Sequence, residues 1–585
     1  MSHWAHWEPL RGPGPSGRDA WETMAEDVAV DVLPCSNDEY FPSPPSREQR
    51  AIMALQDAEV ERWRRRFNMS RREFVRTSAA LAIGFWAIDA IRPGIYGNYG
   101  GVARGVSTGR PDACDLEWAG RKGLETVRNL PGEFIFDVQS HHVDPDGMWR
   151  TTNPAIHAFF AAVWPQARPG PDSGGEADPI ENLSRFHYLK EIYLDSATTC
   201  TVLSVVPTSP DTRNPLPIAE ASQTIDVVNE LARSKRSVMH AFVMPNRGGT
   251  GDSQQTVDPP LYLEEEMELM MQRADDYTDR LRGWKTYCAW GDVPNASGWF
   301  LDSPTGDRFL EQVQAVSEKY PQIPPTVATH KGFALPGFDQ RAAAPKDVGP
   351  AAKKNPGVNI IVYHSGYDTD DEQKAYRGDD AADSGTTTVD GFIKSLRENQ
   401  YDAPRFRKKG KKFGNVPNVY AELGSVWRDT MSNPDEAAHL LGKLINHVGP
   451  KRVVWGTDSL WYGSPQPEIV ALRRFEFTEK GKELYGLPYG LEGDVEDPTR
   501  RAPNPARTIR NGILGRNVAK AYKVNPDKKR HEISCDQVNA LRDDEVTLTR
   551  RNHLLETRPF ASNLSPGART RREVWKSITE GPWSP

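Results

Sequence analysis

The apolar positions of this chain gather into short runs that close on a polar side chain, with longer segments of helical period between them. Five runs stand out: FIFDVQSHH at 134–142, GWKTYCAW at 283–290, VATHKG at 327–332, NIIVYHSG at 359–366 and RVVWGTDSLW at 452–461. Short apolar runs rich in β-branched and aromatic residues read as buried strands. In the first and the last three, the run delivers a His or Asp at its C-terminal end. Further strands are predicted at 198–206 and 237–243 and before Glu422, and helices at 218–234, 264–282 and 309–320. The alternation predicts an α/β fold, a (β/α)8 TIM barrel whose chemistry sits at the C-terminal ends of its strands. No repeat of solenoid period is visible.

Both ends of the chain exceed what a barrel needs. Residues 1–68 form a polar, Pro- and Trp-rich extension with FPSPPS at 41–46 and a basic helical stretch at 47–67. Residues 69–103 are similar to a twin-arginine export signal: Ser70-Arg71-Arg72-Glu73-Phe74, then an apolar run at 77–88 too short to span a bilayer. Met69 offers an alternative start, and Gly101-Val102-Ala103 a better cleavage site than 87–90. The competing reading is an amphipathic helix of the mature protein. Export to the periplasm and a cytoplasmic location both follow from this segment. The charged tail, 525–585, reads as a packed accessory arm or a partly disordered one.

Composition narrows the class. The chain has 585 residues, 37% hydrophobic, with net charge −7 and 47 each of Gly and Pro, so much of its excess length is loop outside the core. The bulk charge gives no sign of nucleic-acid binding. Five cysteines, Cys35, Cys114, Cys200, Cys288 and Cys535, contain no Cys-x-x-Cys pair, and Cys200 and Cys288 read as small core residues. The basic run at 405–412 reads as a solvated loop or as an attractor of anionic substrate.

From about 133 to 524, closing with GILGRNVAKAY at 512–522, the chain resembles the amidohydrolase superfamily. The similarity is to the amidohydrolase-related branch, which holds metal-dependent hydrolases and decarboxylases of the aminocarboxymuconate-semialdehyde and resorcylate types. The resemblance implies that His141, His330 and Asp458 bind a divalent ion, zinc first and manganese second. It implies that Asp458 also takes a proton from the bound water, and that His364 acts as electrophile or general acid beside the substrate. One position departs from the pattern. The family opens its first strand with Asp-x-His-x-His, whereas from Asp137 this chain reads Asp-Val-Gln-Ser-His-His. Gln139 therefore stands in the first ligand position, offering an oxygen directly or through water, although imidazole suits zinc better. His142 points to the other face and cannot replace it.

Other readings stay open at this level. Asp458 also fits a helix N-cap. Lys285 fits an ion pair inside the barrel or, as in some superfamily members, a carbamylated bridge between two metals. Glu422 fits a support for His364, a contact to a polar substrate, or a structural hydrogen bond. Trp461 and Tyr462 fit an aromatic wall or the core.

The leading expectation is a metal-dependent hydrolase of an amide, ester or lactone-like bond. The alternative is a non-oxidative decarboxylase of a carboxylated aromatic or related acid, which would be helped by an arginine clamp such as Arg273 or Arg341. A third reading is a barrel that has lost catalysis and binds a ligand. The expected partners are a small-molecule substrate, the twin-arginine machinery and a second copy of the chain as a homo-oligomer.

Overall fold

A computed structural model describes residues 28–36, 40, 42–75, 77–99, 127–153, 180, 183–206, 213–249, 259–291, 298–333, 339–399 and 416–543. Eight parallel strands follow one another round a single sheet: β1 (Phe136–Ser140), β2 (Cys200–Ser204), β3 (Ser237–Phe242), β4 (Leu281–Tyr287), β5 (Thr326–His330), β6 (Asn359–Tyr363), β7 (Val419–Glu422) and β8 (Val453–Val454). The chain beyond β8 closes the circle on β1. Val138 N donates to Trp455 O at 3.1 Å, Asp458 N to Gln139 O at 2.8 Å, and His141 N to Ser459 O at 2.6 Å. The fold is the expected TIM barrel. Its strands are buried almost throughout, as parallel strands packed inside and out must be.

Amphipathic helices cover the barrel. The helix Ile218–Ala232 buries Ile218, Ala221, Ile225, Val228 and Ala232 at helical spacing. The helix Pro304–Lys319 begins on Ser303, whose hydroxyl accepts from Gly306 N, with Pro304 in the first turn. One boundary differs from the sequence pattern. The helix predicted at 264–282 is Leu263–Asp276, and β4 begins at Leu281. Leu281 pairs with Met239 of β3 and is fully buried, so the neighbouring strand captures it from the helix.

Described residues on either side of the barrel are built into the same body. Two helices, α1 (Arg47–Arg66) and α2 (Ser78–Ile91), pack together, and α1 starts with a capping box between Ser46 and Gln49. Gly97–Asn98 pairs with Glu476–Phe477 beside the barrel. Composition places the excess length outside the core, yet Val28, Ala29, Val30, Val32, Leu33 and Cys35 are all buried. At the other end, Pro526–Ile533 and Gln537–Asp543 dock through Asp536, whose carboxylate grips Arg236 at 2.5 and 2.8 Å. Cys200 and Cys288 are buried as expected. Among the described residues, no helix is long and apolar enough to cross a membrane.

Candidate active site at the barrel mouth

Four non-glycine residues just past β6, β7 and β8 hold positive φ: His364 (64°), Ser365 (51°), Ser425 (58°) and Asp458 (60°). Such backbone is costly and persists only where surrounding contacts enforce it. The backbone of Asp458 is tied to Gln139 O at 2.8 Å, and for His364 and Ser365 the enforcing group is Glu422. Its carboxyl accepts from His364 N at 3.0 Å and Gly424 N at 2.6 Å, and its carbonyl accepts from Ser365 Oγ at 2.7 Å. Burial pushes the Glu422 carboxyl up to about 8, with Asp458 adding to the rise. A side chain at Gly424 or Gly456 would run into Gln139 and Glu422. Of the readings open for Glu422, support of His364 is the one seen, and it acts on the backbone.

Backbone carbonyls orient two imidazoles. His141 Nδ1 lies 2.6 Å from Ser204 O, and His364 Nδ1 lies 2.8 Å from Gly424 O. A carbonyl only accepts, so in both rings Nδ1 carries the proton and the neutral ring presents a lone pair at Nε2. His141 Nε2 stands 3.2 Å from Asp458 Oδ1, and His364 Nε2 stands 3.4 Å from Gln139 Nε2. His330 is set differently. Its Nε2 lies 2.9 Å from Phe333 O and 3.1 Å from Tyr287 OH, which puts the lone pair of the neutral ring on Nδ1. Its ring stacks on Tyr287 at 3.9 Å and meets His364 edge-on at 4.6 Å. His141, His330, His364 and Asp458 thus share one end of the barrel.

Gln139 turns its amide the other way from a ligand. Its Nε2 donates to Asp458 Oδ1 at 2.9 Å, while its buried Oε1, on the side of Gly424, has no hydrogen-bond partner. Exchanging the two ends of the amide would aim oxygen at carboxylate, an arrangement that needs a cation between them. His142 does face away: its Nε2 meets Thr224 Oγ1 at 2.9 Å on a covering helix, and burial lowers its pKa to about 3. Asp137, pushed up to about 7 by burial, accepts from Thr457 N at 3.1 Å and seals the seam between the first and last strands.

Ligand atoms about 2.0 to 2.2 Å from one zinc stand about 3.3 to 3.6 Å apart at the tetrahedral angle. His141 Nε2 and Asp458 Oδ1, at 3.2 Å, stand just short of that range and fit two corners of one ion at a slightly closed angle. Among the described residues no three His, Cys, Asp or Glu side chains already surround one point. A third corner requires His330 or His364 to turn.

Tyr40, Ser425 and Arg428 were not legible as site residues. Tyr40 OH lies 3.1 Å from Tyr462 OH, Tyr462 donates to Ser425 Oγ at 2.8 Å, and Ser425 donates to Asp458 Oδ2 at 2.6 Å. Arg428 lies over the Tyr462 ring at 4.9 Å. Trp461 stacks on His141 at 5.6 Å, as an aromatic wall would. Lys285 sets its ammonium 3.8 Å from the Tyr363 ring centre. Arg273 bonds the Phe242 carbonyl at 2.5 Å, and the exposed Arg341 pairs with Asp339 at 2.8 Å. The basic run at 405–412 lies outside the described residues.

Comparison with known proteins agrees with the sequence resemblance. Residues 325–524 match the family model described as Amidohydrolase. No curated protein matches the chain. Among solved structures, a dihydroxybenzoic acid decarboxylase from Polaromonas with bound manganese and 2-nitroresorcinol shares 12% identity, covering 67% of this chain and 97% of its own, at TM-score 0.36. A 5-carboxyvanillate decarboxylase from Sphingomonas paucimobilis shares 14%, covering 67% and 99%, at TM-score 0.36. A 2-pyrone-4,6-dicarboxylic acid hydrolase from Pseudomonas putida, so described provisionally, shares 15%, covering 60% and 97%, at TM-score 0.29. Likeness at this level carries no residue-by-residue correspondence.

Proposed function

We propose that this chain, whose residues 325–524 match the amidohydrolase model, is a metal-assisted hydrolase of an amide, ester or lactone-like bond, worked at the barrel mouth. The observation that carries the proposal is the approach of His141 Nε2 to Asp458 Oδ1 at 3.2 Å. Both atoms present lone pairs when the imidazole is neutral, and two such atoms repel at that distance unless a cation or a proton lies between them. A divalent ion, zinc or manganese, would be held by His141, Asp458 and His330 and would supply positive charge that polarises the scissile carbonyl.

The chain's own groups do the rest. Asp458, with Oδ2 held by Ser425, accepts the proton of the attacking water. His364, fixed through Nδ1, takes a proton from solvent at Nε2 before reaction and gives it to the leaving group, and Asp458 afterwards returns to solvent the proton it took from water. Trp461 and Phe333 supply apolar walls against His141 and His364, at 5.6 and 5.0 Å.

The second reading is a decarboxylase at the same residues, with His364 delivering a proton to carbon as carbon dioxide leaves. One assay separates the two. Protein loaded with zinc or manganese is offered aryl esters, lactones and carboxylated arenes, and acid release is followed alongside carbon dioxide. Asp458→Asn should lower either turnover by about a hundredfold or more. His330→Ala should lose metal and turnover together; retention of both would overturn the mechanism.

A further inference from the structure

The N-terminal arm reaches the barrel mouth from a part of the sequence far removed from the strands. Residues 28–36 are buried, and the arm is fixed at Asp31, whose Oδ2 lies 3.4 Å from Arg428 Nη2, and at Leu33, whose carbonyl lies 3.4 Å from Arg428 Nη1. Nine positions beyond Asp31, Tyr40 touches Phe333 and Tyr462. Its ring stacks on Phe333 at 4.4 Å, and Phe333 in turn meets His364 at 5.0 Å and receives His330 Nε2 on its carbonyl at 2.9 Å. Its hydroxyl stands at the head of the Tyr462, Ser425, Asp458 series.

The direction of that series follows from its acceptor end. An ionised Asp458 only accepts, so Ser425 donates to it and Tyr462 donates to Ser425; the single Tyr40 proton goes first to the Cys35 carbonyl, with the Tyr462 oxygen 3.1 Å away as its secondary acceptor. Burial holds both phenols well above their ordinary range, so they stay donors throughout the neutral range. A carboxylate held on one oxygen by such a series leaves its other oxygen to face His141.

We propose that Tyr40, delivered by the N-terminal arm, is a positioning residue of the active site, acting on Asp458 through Tyr462 and Ser425 and on His364 through Phe333. The proposal rests on the metal-site reading given above, in which Asp458 is a ligand. Partners that orient a ligand typically change metal affinity by about 10- to 100-fold when removed.

The test is zinc titration of the full-length protein. Tyr40→Phe keeps the ring on Phe333 and removes the hydroxyl, and zinc should bind about tenfold more weakly. Ser425→Ala should do the same, and the double variant should be no weaker than either single one, because both act along one series. Additive losses, or an unchanged affinity in Tyr40→Phe, would overturn the proposal. Alkylation of Cys35, fully buried on the arm, checks docking independently. It should stay as slow in Tyr40→Phe as in wild type, so that weaker zinc binding cannot come from an undocked arm; rapid alkylation there would overturn the series as the cause. Wild-type protein that binds no zinc would refute the metal reading. Tyr40 would then be judged by the His364 Cε1 signal of histidine-labelled protein, which Tyr40→Ala must move and Tyr40→Phe must leave in place.

Discussion

Gln139 and Asp458, at the first and last edges of the barrel seam, are joined by a hydrogen bond of 2.9 Å from the amide nitrogen to the carboxylate. The residue that stands in a family ligand position thus serves as a donor to another candidate ligand. We propose that Gln139→His converts that donor into a ligand. Zinc should bind about tenfold or more tightly, because imidazole is the better donor to zinc. Competition against a chelating dye measures it, and unchanged affinity would show that the position does not face the ion.

Export through the twin-arginine route is proposed from Ser70 to Phe74. Arg71 bonds Asp57 at 2.6 Å. Lysine preserves that charge pairing, so Arg71→Lys with Arg72→Lys leaves the fold in place while removing the arginine pair that the pathway reads. Fractionation of the host should find the double variant retained in the cytoplasm. An unchanged distribution would reject export.

Asp89, in α2, gives a pH dependence. Burial raises its carboxyl to about 7, although both oxygens accept from Tyr99 N at 3.1 Å. The ordinary value in an unfolded chain is about 3.9, so the folded state keeps its proton longer. Stability is therefore full below about pH 4 and falls as pH rises toward 7. Asp89→Asn removes the ionisation and keeps an acceptor. It should melt with wild type near pH 4 and above it at pH 8, by about 1 kcal/mol or more in unfolding free energy.

Asp536 tests whether the region after the barrel is structural. Removing its carboxylate in Asp536→Ala leaves the buried Arg236 guanidinium without its bidentate partner. Breaking a buried pair from one side costs about 3 to 5 kcal/mol. The urea midpoint should drop accordingly.

The barrel was legible because its signals are local. A run such as NIIVY must bury both faces, and the polar residue that ends it, here His364, must then emerge at the rim. The same logic placed His141, His330 and Asp458 at one mouth, and period-two alternation sent His142 outward to Thr224. The helix predicted to run to 282 shows where local pattern fails, since Leu281 suits either element and only the neighbouring Met239 decides.

Sequence by itself therefore determined the eight-stranded barrel, the end at which its candidate site residues gather and the residue types found there. Tertiary structure alone decided how those residues face one another. Which end of the Gln139 amide meets Asp458, which nitrogen of His330 is engaged by Phe333, and whether Tyr40 belongs to the site all depend on partners remote in the chain. The arm that carries Tyr40 has no period to read, because it is held by Arg428 and Phe333 and not by a helix or strand of its own. Side-chain hydrogen bonds are set by whatever donors and acceptors packing brings within about 3 Å, and that is a property of the closed barrel rather than of any single segment.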